Sequence, residues 1–318
     1  MTLFNSMSTQ SKVVSLIKRR TNTSMHVILM LILLSITSCA NLDTQQVESQ
    51  DIVRFALIAD PQMGFSDAQA KSTAYSNEDF DYFRLTIDKI NKHSLAGEFV
   101  LILGDMVHKQ SDELFQWPDY HGALRSLKIP YHEVMGNHDG WSAEGLVRWR
   151  DTWNKQDVYS FTHKGLLFVG LNSYFLKKPD ALPKETAAQT RFLTELLTEQ
   201  ASNPHKFIFQ HFPLYRDTPD EAEKGNKNLP LSERNFILEQ IDSHNVKAVF
   251  SGHSHDEIIR NYKDTLLLTA NPSSKPLGKG KRGFYIIEYN KTSEVLSYTF
   301  IKNTKTDLEL FLNKKNKK

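Results

Sequence analysis

Cysteine is almost absent from this chain: among 318 residues only Cys39 occurs, so no intrachain disulfide can staple the fold. An excess of one charge is missing too, with 39 Lys and Arg against 37 Asp and Glu, a formal net of +2. Such a balance offers no basic field for a nucleic acid, and none is expected as a partner. The longest apolar run, Val27 to Leu34, is too short for a confident bilayer span. No internal repeat or low-complexity run points to a solenoid or a linker array. What remains is an ordinary globular composition, 40% hydrophobic and 24% charged, enough for one sizeable αβ domain.

The N-terminus is organised differently from the rest. Residues 1–38 carry Lys12, Lys18, Arg19 and Arg20 with no acid, then the apolar run, then Ile36-Thr37-Ser38-Cys39. A basic segment, a short apolar core and small residues before a cut describe a secretory leader. Cys39 at that cut resembles a bacterial lipoprotein box, which implies acyl groups on Cys39, a polar tether through residue 51 and a place in the cell envelope, membrane-anchored and facing the periplasm or the exterior. An uncleaved N-terminal anchor with a chance cysteine is the alternative, and Met7 or Met25 are alternative starts. Removal of the leader takes the cations from 39 to 35 against 37 acids, a charge of −2. At the other end, residues 306–318 read as a basic tail, with Lys314, Lys315, Lys317 and Lys318 at its tip.

Between these ends, short β-branched or aromatic runs alternate with segments of helical period. Strands are expected at Ile52 to Ala59, Phe99 to Leu103, Tyr131 to Val134, Tyr159 to Thr162, Leu166 to Leu171, Phe207 to Gln210 and Val246 to Ser251. Phe80, Phe83, Ile87 and Ile90 recur at helical spacing, so Asp79 to His93 reads as a helix packed on a sheet. Further helices are expected over Ser142 to Trp153, Gln189 to Glu199, and Glu233 to His244 with Ser232 as N-cap. Ser111 to Leu127 reads as a loop and short helix whose Trp117, Tyr120 and His121 suit packing ahead of the edge of a pocket. The last third, Thr265 to Thr269, Phe284 to Tyr289 and Val295 to Phe300, is strand after strand. Alternating βα units followed by a β-rich end fit an α/β fold of two packed mixed β-sheets flanked by helices.

Chemistry-bearing residues sit just past these strands. Asp60-Pro61-Gln62 follows the first, Gly104-Asp105 the second, and Gly136-Asn137-His138-Asp139 the third. His211 follows Phe207 to Gln210, and Gly252-His253-Ser254-His255 follows Val246 to Ser251. Five strands thus deliver carboxylates, amides and imidazoles to one rim, where αβ proteins place their chemistry. His93, His121, His132, His163, His205 and His244 fit no motif.

The ordered set D-x-Q, G-D, G-N-H-D, H and G-H-x-H resembles the calcineurin-like metallophosphoesterase superfamily. The phrases Asp60-Pro61-Gln62, Asn172-Ser173 and Gln210-His211-Phe212-Pro213-Leu214 look like those of the subfamily named for a single calcineurin-like phosphoesterase domain, and the resemblance covers about residues 52–305. It implies two divalent metal ions, Mn, Mg, Fe or Zn. One would be held by Asp60, Gln62, Asp105 and His255, the other by Asp105, Asn137, His211 and His253. A hydroxide bridging them would attack a phosphate ester in line. His138 would bind the phosphoryl oxygen or protonate the leaving alkoxide, with Asp139 orienting its ring. Gln62 stands where the superfamily usually has histidine, which implies looser, harder-donor coordination there. His108, three residues past Asp105, falls close enough to the rim to touch substrate or a ligand. Arg216, five residues past His211, suits either a phosphate or a surface ion pair. The function so implied is a metal-dependent phosphomonoesterase. A phosphodiesterase of the same fold and a non-catalytic envelope protein that binds a phosphate ligand stay open beside it.

Overall fold

A computed structural model describes residues 51–72, 75–93 and 97–315. The leader, Cys39, most of the tether and the last three residues lie outside them.

Two mixed sheets form the centre. In the first, β1 (Ile52–Ile58) pairs in parallel with β2 (Val100–Ile102), which pairs in parallel with β3 (Tyr131–Glu133). Strands β4 (Tyr159–His163), β5 (Leu166–Gly170), β6 (Lys206–Phe209), β7 (Val246–Ser251), β8 (Ile258–Tyr262) and β9 (Thr265–Thr269) make the second sheet, in the order β4-β5-β6-β7-β9-β8. The chain then returns to the first sheet, where β10 (Gly283–Asn290) runs antiparallel to β1 and β11 (Val295–Lys302) antiparallel to β10.

The period-two alternation of β1 decides how the layers stack. Val53, Phe55 and Leu57 point into the core between the sheets with Phe99, Leu101, Phe168, Phe207, Phe250, Tyr285 and Ile287. Ala56 and Ile58 point the other way, into a second core closed by the helices Glu78–Lys92 and Gln116–Leu124. A third core lies under the helices Ser173–Lys177, Pro183–Glu199 and Leu231–His244 on the outer face of the second sheet. Phe55 binds the inter-sheet layer. Its ring stacks on Phe99 at 5.1 Å and meets Phe168 edge-on at 5.2 Å, each pair adding about 1 kcal/mol beyond burial.

Some local expectations need correction. The helix expected over Ser142 to Trp153 is a short helix, Ala143–Val147, capped by Ser142 Oγ accepting from Gly145 N, that widens into a π turn at Arg148–Thr152. The helix expected from Gln189 starts at Pro183, whose fixed φ suits a first turn. Ser232 is not an N-cap. The helix begins two residues earlier than expected, at Leu231 after Pro230, and Ser232 Oγ instead donates to Glu233. The region expected as a basic tail forms the helix Lys305–Lys315, tied back by Asp307 to Lys89 at 2.8 Å.

Candidate metal centre

The loops leaving β1, β2, β3, β6 and β7 converge, as the motif positions require. Asp105, His211 and His253 each present a ligand atom within 4.8 Å of the others. His211 Nε2 stands 3.3 Å from Asp105 Oδ2, 3.1 Å from Asn137 Oδ1 and 3.2 Å from His253 Nδ1. Gln62 Nε2 lies 3.4 Å from the same Asp105 Oδ2, and His255 Nε2 lies 3.6 Å from Asp60 Oδ1. Asp105, His211 and His253 form one compact cluster, with Asn137, Gln62, Asp60 and His255 close by.

Sharp local backbone makes this convergence possible. Asp60, Gln62, Asp105, His253 and His255 all have φ between 35° and 70°, the left-handed region that side chains ordinarily avoid, at about 1 to 3 kcal/mol each. The surrounding hydrogen bonds hold it: His253 N donates to both Asp60 oxygens at 3.0 Å, and Gln62 N to Asp105 O at 2.8 Å. Glycine is required beside Asp105, because a Cβ on Gly136 would sit 2.1 Å from Asp105 Oδ1. His138 N occupies that approach instead, donating to the same oxygen at 2.8 Å.

Each imidazole is pinned by a backbone carbonyl. His211 Nδ1 donates to Leu103 O at 2.8 Å, His255 Nδ1 to Lys275 O at 2.7 Å, and His253 Nε2 to Asn226 O. Such a bond fixes the tautomer and leaves the opposite nitrogen as donor to a metal. Ser173 steadies the His211 turn, its Oγ accepting from Phe212 N at 2.8 Å and His211 N at 3.2 Å, which gives the Asn172-Ser173 motif a structural role.

Electrostatics separate the groups. Burial pushes Asp60 well above the usual carboxylate range. Asp105 suffers the same burial, but His211, then His138, and the hydrogen bond from His211 hold it below that range. His211 is the reciprocal case: burial opposes its charge, yet Asp105 raises it to about 9. Burial and then His211 lower His253 to about 3, and burial lowers His255, so both are neutral imidazoles with a free lone pair.

Carboxylate, amide and imidazole donors suit a divalent cation, and one buried atom supports that fit: Gln62 Oε1 is enclosed without any hydrogen-bond partner. A buried amide oxygen left without a donor has a lone pair that a cation can take up.

Asp139 is placed differently from the expectation. It does not touch the His138 ring. Its Oδ1 accepts from Met106 N at 2.8 Å and Val107 N at 3.2 Å, and its Oδ2 from Gly136 N at 2.8 Å, so it joins the loop after β2 to the loop after β3. Burial, and then the Asp105 charge, raise it to about 7. The His138 ring is oriented instead by His108 O, which accepts from Nδ1 at 2.8 Å. His108 does reach the rim, its ring stacked on His138 with centroids 4.7 Å apart. Arg216 also comes close, its guanidinium donating to Ser254 Oγ at 2.9 Å and its backbone N to Glu221 Oε1 at 2.8 Å. Sequence reasoning missed the carbonyls of Leu103, His108, Asn226 and Lys275, since a carbonyl exists at every position.

A family model described as calcineurin-like phosphoesterase matches residues 53–257. The chain belongs to the calcineurin-like phosphoesterase family. Within it, the chain is 31% identical over 248 residues to the human serine/threonine-protein phosphatase CPPED1, covering 73% of this chain and 79% of that one. The Danio rerio protein of the same name is 31% identical over 228 residues, covering 67% and 73%. Among solved structures, a dimetal phosphatase from Danio rerio superposes with a TM-score of 0.57 at 15% identity, covering 79% of this chain and 99% of that one. A purple acid phosphatase from yellow lupin gives 0.54 at 14% identity, covering 81% and 55%. Both structures share the fold. With the family and the Asp105, His211 and His253 cluster together, this calcineurin-like phosphoesterase is a metal-dependent hydrolase of phosphate esters.

Proposed function

We propose that this phosphoesterase works with two divalent ions and favours phosphomonoesters. Asp60, Gln62, Asp105 and His255 would hold one ion, and Asp105, Asn137, His211 and His253 the other. When bound, such a pair neutralises the phosphoryl oxygens and supplies a nucleophilic water near neutral pH. The observation that carries a catalytic rather than a structural reading is His138. Its Nδ1 is spent on His108 O, its backbone N–H on Asp105, and its Nε2 has no protein partner among the described residues. That unengaged nitrogen is the position from which a proton could pass to the leaving oxygen, a role worth about 10² to 10⁴ in rate. A metal site that only held the fold together would need no such group. Similarity to serine/threonine-protein phosphatases supports the monoester preference.

The test is hydrolysis of a chromogenic phosphomonoester and a phosphodiester by purified, metal-stripped protein resupplied with Mn²⁺, Mg²⁺, Zn²⁺ or Fe²⁺. Turnover should need metal, favour the monoester, and fail in Asp105→Asn and His138→Ala, while His138→Ala still binds two ions. Full activity in His138→Ala would remove the acid from the mechanism, and metal binding without turnover of any ester would favour the ligand-binding alternative.

We also propose that Cys39 is acylated and holds the enzyme on the envelope membrane, on the strength of the leader pattern alone. Cys39→Ser should release the protein into the soluble fraction. Unchanged membrane retention would rule the anchor out.

A further inference from the structure

A cleft of about 400 Å³ has His108 in its wall, together with Asp67, Tyr75, Lys109, Asp112 and Phe115. Two contacts join it to the metal centre. His108 forms part of its wall and stacks on His138, and Phe65, next to Gly64, packs on His255 at 4.6 Å and on His108 at 5.6 Å. The His108 ring thus stands between His138 and this cleft, so a group extending past His108 from the site would enter it.

The lining says what kind of group fits. Tyr75 and Phe115 face each other with ring centroids 5.8 Å apart, and the Tyr75 ring is fixed by its hydroxyl donating to Asp119 at 2.8 Å. Phe115 is 55% exposed, and Leu114 beside it 81%, an apolar lip that the fold leaves open to water. His108 Nδ1 is enclosed in the wall without a hydrogen-bond partner. With Asp67 and Asp112 against Lys109, the wall carries a formal charge of −1, which opposes a second phosphate or another polyanion.

Resting on the phosphoesterase reading above, we propose that this cleft is the leaving-group subsite and takes a flat, uncharged aromatic body carried by the alcohol of the ester. Two phosphonates that cannot be hydrolysed isolate the effect from leaving-group chemistry: 2-phenylethylphosphonate and ethylphosphonate, titrated calorimetrically into the metal-loaded protein. The aromatic probe should bind about tenfold more tightly, the discrimination expected when one ring is partly enclosed. Phe115→Ala should bring the two dissociation constants within about twofold by raising only that of the aromatic probe, and exposed Phe115 can be removed without emptying a core. Lys109→Ala should keep the preference.

Equal affinities in the parent protein would overturn the subsite, as would a preference that survives Phe115→Ala or vanishes in Lys109→Ala. Discrimination between the phosphonates without turnover of the matching phosphate esters would support the subsite and sink the hydrolytic function. Discriminating hydrolysis with the same loss in Phe115→Ala would support both.

Discussion

Lys177 provides the sharpest test of how the metal centre is held, although it ligates nothing. Its ammonium is fully enclosed, with a side-chain exposure of 0%, and donates to Glu223 Oε1 at 2.5 Å, to Asn228 O at 2.8 Å and to Gly225 O. Those acceptors belong to the strap 217–228, whose only helical turn is Gly225–Lys227. Arg234, also buried, holds the same strap through Pro219 O at 2.9 Å and Glu221 O at 2.7 Å, and the residue after it through Leu229 O at 2.7 Å. Between the two cations the strap presents Asn226 O to His253 Nε2. Lys177→Met keeps the apolar stem but removes all three bonds, and the carbonyl that selects the His253 tautomer loses its support. Loss of such an outer partner typically costs 10- to 100-fold in metal affinity, about 1.4 to 2.7 kcal/mol. Competition of the protein with a chelator for Mn²⁺ or Co²⁺ measures this directly, and circular dichroism checks that the variant is folded. One ion of the proposed pair should weaken by that factor while the other changes little. Unchanged affinity for both ions in a folded Lys177→Met protein would refute the link from strap to ligand.

Two further expectations probe separate parts of the molecule. Gln62→His should tighten Zn²⁺ binding by about tenfold in the same competition assay, since imidazole is the better donor for that ion. Unaltered affinity would place Gln62 outside the coordination sphere. Away from the site, His132 is lowered to about 4, by burial and then by His163, and its ring stacks on Phe161 at 3.5 Å. The unfolded chain takes up a proton there near pH 6.5, whereas the folded one resists until about 4, so stability falls as pH drops through that window. His132→Phe preserves the stack and removes the proton. Its Tm, measured with chelator present, should decline less steeply than the parent's between pH 6.5 and 4, and parallel curves would show that His132 does not contribute.

Much of the fold and most of the site were legible because two strong periodic signals coincide. Buried runs such as Phe99 to Leu103 can only be interior strands in this context, and polar motifs directly after them must fall on the rim of a parallel sheet. The structure brings Asp105, His211 and His253 together there, with Asp60, Gln62, Asn137 and His255 alongside. Elements governed by tertiary context were less legible. The edge strand β8, sequence Ile-Ile-Arg-Asn-Tyr, has no alternation to mark it. The helix Lys305–Lys315 depends on Asp307 reaching Lys89, more than two hundred positions earlier. Asp139 misled for a related reason. Adjacent to His138 in sequence, it turns instead toward three backbone N–H groups that would otherwise be buried without acceptors.

The same distinction separates ligand identity from ligand geometry. The histidines of Gly252-His253-Ser254-His255 can be named from their spacing, but the nitrogen each turns inward depends on Asn226 and Lys275, carbonyls contributed by loops that no motif marks. In the sequence Lys177 is one lysine among many, and only its complete burial reveals what it holds. The chemistry is therefore written in the residues after the strands, while the orientation that makes it usable is set by a strap and two buried cations whose roles emerge only when the chain has folded.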